Sequence, residues 1–106
     1  MTLSTNKNTA TSIYERMGVK IRQSVTMDIG GVDFKFYLDA AAYDAMQNDI
    51  MPDNKVTPMK DYLLAIVEPE QRQTLAELLQ IPGFAANLAT EVNEVLIPKV
   101  EIKVKN

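Results

Sequence analysis

A chain of 106 residues with 11 Lys and Arg against 14 Asp and Glu, a net charge of −3 and 46% hydrophobic residues has the length and apolar content for one core, which would bury about two-thirds of the unfolded surface. Cys and His are both absent, which removes the thiolate nucleophile, the usual zinc ligands and the side chain best suited to proton transfer near neutral pH. The charge is uneven: residues 1–24 hold Lys7, Arg16, Lys20 and Arg22 against Glu15, a net +3, which leaves −6 on residues 25–106, and so acidic a body is a poor match for the phosphates of nucleic acid.

Residues 1–12 are rich in Thr, Ser and Asn and read as a polar arm, with a short helical turn at residues 11–17. They lack the apolar centre of a secretory signal, and no later stretch approaches the roughly 18 apolar residues of a membrane span, so a cytosolic protein without a membrane partner is expected. From Val19 the pattern has period two, with Val19, Ile21, Val25, Met27 and Ile29 on one side and a break at Gln23. Gly30 and Gly31 separate this run from a second one, Val32, Phe34, Phe36 and Leu38. Two residues that accept positive φ between two alternating runs predict a β-hairpin.

Asp39 is placed to cap a helix from Ala40 to about Met51, with Ala42, Tyr43, Met46 and Ile50 on one face and Pro52 as the stop. Thr57 then caps a helix with Pro58 at its first position, whose Met59, Tyr62, Leu63, Ile66 and Val67 repeat with helical spacing. A further helix starts at Glu68, Pro69 and Glu70, runs through Leu75, Leu78 and Leu79, and ends at Pro82 and Gly83. The last helix covers about residues 84–97, with Phe84, Leu88, Val92, Val95 and Leu96 on one stripe and Thr90, Glu91, Asn93 and Glu94 on the other. Val100, Ile102 and Val104 alternate with Lys99, Glu101, Lys103 and Lys105 as a closing strand. The expected fold is α+β: a flexible arm over residues 1–18, then one domain over residues 19–106. In that domain a three-stranded, mainly antiparallel sheet, made by the hairpin and the C-terminal strand, has one face covered by about four helices.

No catalytic constellation emerges from this layout. Asp44, Asp49, Glu77, Glu91 and Glu94 lie on polar faces or turns where solvated surface is the ordinary state, and Ser4, Ser12 and Ser24 have no base to activate them. Asp49, Asp53 and Asn54 do not have calcium-loop spacing, so neither a metal nor a cofactor is expected. Methionine is generous at six residues; Met46 and Met59 fall on buried stripes, while Met51 lies at the edge of its stripe and is the best candidate for an exposed apolar contact. These absences point to a protein that binds another protein and not to an enzyme.

Met51, Pro52, Asp53, Asn54, Lys55 and Val56, followed one residue later by Pro58, resemble a signature of small phage tail assembly chaperones. The surrounding order is also similar: Gly30-Gly31-Val32-Asp33-Phe34, the helix with Tyr43, Tyr62-Leu63-Leu64, a Pro-initiated acidic helix and the Val100 to Val104 run, over about residues 25–105. Thr57, Met59 and Lys60 depart from the pattern, and the arm precedes the matching part. The resemblance implies a non-structural phage or prophage protein in the cytoplasm of the bacterial host. Such a protein binds the tape-measure protein and keeps it soluble until tail-tube subunits polymerise around it; the tail-tube protein is a further candidate partner, and whether the chain forms a homo-oligomer stays open. The partner-binding surface then includes Met51, Pro52, Asp53, Asn54, Lys55, Val56, Pro58 and Met59; the alternative is that Pro52, Asp53 and Asn54 only fix a tight interhelical turn. Competing classes are a minor tail or head-completion component of the virion and a small protein-binding adaptor.

Overall fold

The computed structural model describes residues 9–106; the expectation for the start of the polar arm, residues 1–8, lies outside them. Residues 22–97 form one compact unit, and the described residues 9–21 and 98–106 belong to a second, which is taken by itself below. The first unit is built from a hairpin, β1 (Ser24–Ile29) and β2 (Val32–Tyr37), followed by helices α2 (Ala40–Asp49), α3 (Val56–Ile66), α4 (Arg72–Leu78) and α5 (Phe84–Leu96). The second unit contains α1 (Ala10–Met17).

The hairpin follows the sequence pattern closely. The strands pair antiparallel with Ile29 opposite Val32 and Met27 opposite Phe34, and Gly30 and Gly31 both have positive φ (62° and 87°), as a two-residue type I′ turn requires. Asp28 Oδ1 accepts the Gly31 amide at 2.8 Å. Alternation places Val25, Met27, Ile29, Phe34 and Phe36 toward the helices, with Phe34 and Phe36 fully enclosed, while Thr26, Asp28, Asp33, Lys35 and Tyr37 face water. The core they join is completed by Met46 of α2, Tyr62, Leu63 and Ile66 of α3, Leu75 of α4, and Leu88, Val92 and Leu96 of α5.

Two findings correct the expected sheet. Among the described residues it has two strands, not three: residues 98–106 carry no strand, and Val100, Ile102 and Val104 stand 46%, 86% and 89% exposed. One physical reason lies on the outer edge of β2, which is already occupied. Glu68 N donates to Lys35 O at 2.8 Å, and Gln71 bridges the edge with its side chain, Oε1 accepting from Lys35 N at 3.0 Å and Nε2 donating to Asp33 O at 2.6 Å. A side-chain amide there imitates the donor and acceptor of a neighbouring strand. On that edge an alternating run finds no free ladder to join. Secondly, β1 begins at Ser24 and not at Val19. Val19 is spent on α1, where its amide bonds Tyr14 O and the Gly18 amide bonds Glu15 O, with Gly18 at φ 71° in a Schellman cap.

Helix boundaries shift for similarly local reasons. Asp39 caps α2 through Oδ1 to the Ala42 amide at 3.0 Å, as expected, but the helix ends at Asp49. Lys55, not Thr57, is the N-cap residue of α3, so Pro58 is its third residue; a proline is tolerated there because the first turn has no intrahelical acceptor for its missing N–H. Pro69, Glu70 and Gln71 form a separate 3₁₀ turn ahead of α4, which places Gln71 against the sheet edge. Gly83, at φ 81°, leads into α5.

Candidate partner-binding surface

The loop between α2 and α3 is a tight turn. Met51 N donates to Asn54 O at 3.1 Å and Asn54 N to Met51 O at 3.0 Å, so Pro52 and Asp53 occupy the corner. Proline presets φ for the first corner position, which explains why this stretch reverses the chain within four residues. The turn displays its apolar flanks: Met51 is 54% and Val56 52% exposed, and Pro52, Asp53, Asn54 and Lys55 are exposed with them. The last two residues of the proposed set behave differently, since Pro58 is buried and Met59 is half-buried against the core. The structure therefore brings Met51 to Val56 together as one projecting surface and turns Pro58 and Met59 inward. Met46, read from the sequence as core, is buried.

Beside this loop, α2 and α3 leave a shallow cleft of about 200 Å³ lined by Ala42, Ala45, Met46, Pro58, Tyr62 and Ala65, with Asp49 and Asp61 among its walls. Alanine at three positions keeps the cleft open. It is smaller than the roughly 300 Å³ at which drug-sized ligand sites begin, so apolar side chains of another protein suit it better than a free ligand. Its floor is held firmly. Tyr62 packs edge-to-face on Tyr43 with ring centroids 6.0 Å apart at 72°, and its hydroxyl donates to Asn93 Oδ1 of α5 at 2.6 Å. Burial, with Tyr43 and Asp39 nearby, pushes the Tyr62 phenol up to about 12, so it remains a neutral donor at any physiological pH.

Sequence reasoning missed Asn93 and Gln71. Asn93 falls on the polar stripe of α5 by periodicity, yet it is half-buried and ties α5 to α3; only the phenol opposite it, 31 residues away, reveals its role. Another hollow of about 400 Å³ lies where β1 meets α5, between Met27 and Ile29 on one side and Phe84 and Leu88 on the other. Among the described residues no group of three or more acidic side chains could hold a metal ion, and no helix is long and apolar enough to cross a membrane.

The sequence model of a phage tail assembly chaperone family matches residues 25–106. The chain belongs to that family. It is also 52% identical over 100 residues, 94% of this chain and 98% of the other, to a protein of Haemophilus phage HP1 (strain HP1c1) described as an "uncharacterized 11.3 kDa protein in lys 3′ region". No solved structure matches it. Membership in this family points to a non-enzymatic role in phage assembly, carried out by binding tail proteins. The match takes in the hairpin and helices α2 to α5 and leaves α1 outside it.

Proposed function

We propose that this tail assembly chaperone binds the tape-measure protein in the cytoplasm of the infected or lysogenic bacterium, keeps it soluble, and releases it when tail-tube subunits polymerise around it. The observation that carries the reading is the projecting turn of a tail assembly chaperone that exposes Met51 and Val56 at 54% and 52%. A long helical client displays apolar stripes before assembly, and scattered copies of a chaperone that offers a flexible thioether and a small branched side chain can shield them without a deep, specific pocket. Lys55 and Asp53 at the same turn give polar contacts around that apolar pair. Binding through so small a surface is weak, which suits a chaperone that must leave: release rates, more than encounter rates, distinguish related interfaces.

Co-expression tests this directly. The soluble fraction of the tape-measure protein is measured with the wild-type chain, with no chaperone, and with Met51→Ser/Val56→Ser. The wild type should raise the soluble fraction several-fold and co-purify with the client, while the double variant, whose own stability should stay within about 0.5 kcal/mol, loses most of the effect. No gain in solubility and no co-purification with wild type would overturn the proposal. Stoichiometric retention of the chain in mature particles would instead favour a virion component.

A further inference from the structure

The two edges of the hairpin differ. That of β2 is covered by Glu68 and Gln71, whereas among the described residues no hydrogen bond reaches the outer edge of β1. Ile29 and Val32 close the two-residue turn and exchange their backbone bonds, so the antiparallel alternation turns the N–H and C=O of Asp28, Thr26 and Ser24 away from β2. Lys35, opposite Thr26, has the same parity: its N–H and C=O bond Gln71 and Glu68 and not β1. Edges are ordinarily guarded by lysine, proline, a bulge or a cover, and β1 has no lysine, proline or bulge from Ser24 to Ile29.

The apolar side of the sheet is also unfinished at β1. Val25, Met27 and Ile29 are half-buried, while Phe34 and Phe36 of β2 are fully enclosed. The hollow of about 400 Å³ lies along this same edge. Met27 and Ile29 face the helices and Asp28 faces water, so a space that touches all three runs beside the strand and not beneath it. Phe84 and Leu88 of α5 give it an apolar floor.

We infer that β1 pairs antiparallel with β1 of a second copy about a two-fold axis at Thr26, which joins two hairpins into one four-stranded sheet. The strand is complementary to itself in this register. Thr26 meets Thr26 and Ser24 meets Asp28, so each outward N–H and C=O finds a partner on an extended residue; an axis at Met27 would set Ser24 against Gly30, whose φ of 62° belongs to the turn. Val25 comes to lie beside Met27 of the second copy, on the helix side at the mouth of the hollow. Charge agrees with the same register. The acidic turn end of each hairpin, with Asp28 beside Asp33, is set against the opposite end of the other, where Arg22 lies and Asp39 is engaged as the cap of α2. One patch used twice makes an isologous contact, which closes at a dimer. No residue of the Met51 to Val56 turn takes part, so the inference stands apart from the client proposed above.

The test uses the full-length chain without any client and reads mass by sedimentation, with amide hydrogen exchange beside it, over roughly 10 to 300 µM. Wild type should pass from monomer to dimer and no further, and the Thr26 amide should gain protection with the same concentration dependence. Thr26→Pro removes an outward N–H and leaves the hairpin bonds in place, so it should weaken dimerisation by about tenfold or more. Thr26→Glu and Thr26→Lys each put like charges face to face at the axis and should weaken it several-fold, while an equimolar mixture of the two puts opposite charges there and should dimerise at least as well as wild type. A wild-type chain that stays monomeric, a dimer that Thr26→Pro leaves intact, or a mixture no better than its components would overturn the inference. So would Thr26 protection that does not depend on concentration, the result expected if the same chain covered the edge.

Discussion

Gln71→Ala isolates what seals the open edge of β2. The side chain makes two hydrogen bonds to that edge, with Lys35 N at 3.0 Å and Asp33 O at 2.6 Å, and all three residues are at or near the surface. A typical intramolecular hydrogen bond contributes about 0.5–1.5 kcal/mol net, and water can replace both partners here, so the loss should total about 1–2 kcal/mol. In a domain of this size that lowers the melting midpoint by about 4–8 °C per kcal/mol. The denaturant slope should not change, because the same surface is exposed on unfolding. Gln71→Glu separates the two bonds: a carboxylate still accepts from Lys35 N but cannot donate to Asp33 O. Native-state hydrogen exchange then gives a site-specific reading, with the Lys35 amide losing protection in the alanine variant and keeping it in the glutamate variant. The alanine variant should also self-associate more readily at high concentration, since an uncovered edge is a template for pairing. Unchanged Lys35 protection in Gln71→Ala would refute the seal.

Tyr62→Phe should cost about 1–2 kcal/mol in urea unfolding, since it leaves the half-buried Asn93 side chain without its donor. It should also alter the alkaline limb of stability. The Tyr62 pKa is raised to about 12 in the fold from an ordinary value of 10, so its contribution is complete below pH 10 and is lost as the pH rises toward 12, at no more than about 1.4 kcal/mol per pH unit and less where water reaches the cleft. The phenylalanine variant should lack that loss. Phe36→Ala removes the most enclosed large side chain of the sheet, 0% exposed, and should cost about 3–5 kcal/mol, enough to leave a domain this small largely unfolded by circular dichroism. Gly31→Ala has open space for the added methyl but must hold a φ of 87°, so its cost of about 1 kcal/mol should appear with no change in the core.

The hairpin was readable because every level of the sequence agrees on it: alternation on both sides, two glycines at the only place where positive φ is needed, and an Asp positioned to bond the turn. Helices α2 and α5 were readable for the same reason. The third strand failed because alternation records which side of a segment is apolar and says nothing about whether a partner edge is free. For the edge of β2 that information sits in Gln71, which looks like an ordinary polar residue between Glu70 and Arg72 until its side chain is seen across Asp33 and Lys35, 38 and 36 residues away. Asn93 is the same kind of case, a polar residue on a polar stripe whose partner is fixed only by tertiary packing. The loop residues Met51 to Met59 stood out as a motif, but their sorting into exposed and inward-facing groups depended on where α3 begins, and its start at Val56 in place of Pro58 put Pro58 in the lining of the cleft.

That sorting has a consequence for how mutations in this loop divide. Met51 and Val56 expose about half of their surface, so replacing them with small polar residues leaves the core packing as it was and, on the function proposed above, removes contact area from the client. Pro58 and Met59 belong to the fold: one lines the cleft wall and the other packs against the core cluster, so changing them alters stability and binding together. A scan that scored all eight residues only by loss of chaperone activity would merge the two groups. Measuring stability beside activity keeps them apart, and only variants that lose activity at unchanged stability, with Met51 and Val56 first among them, mark the partner surface.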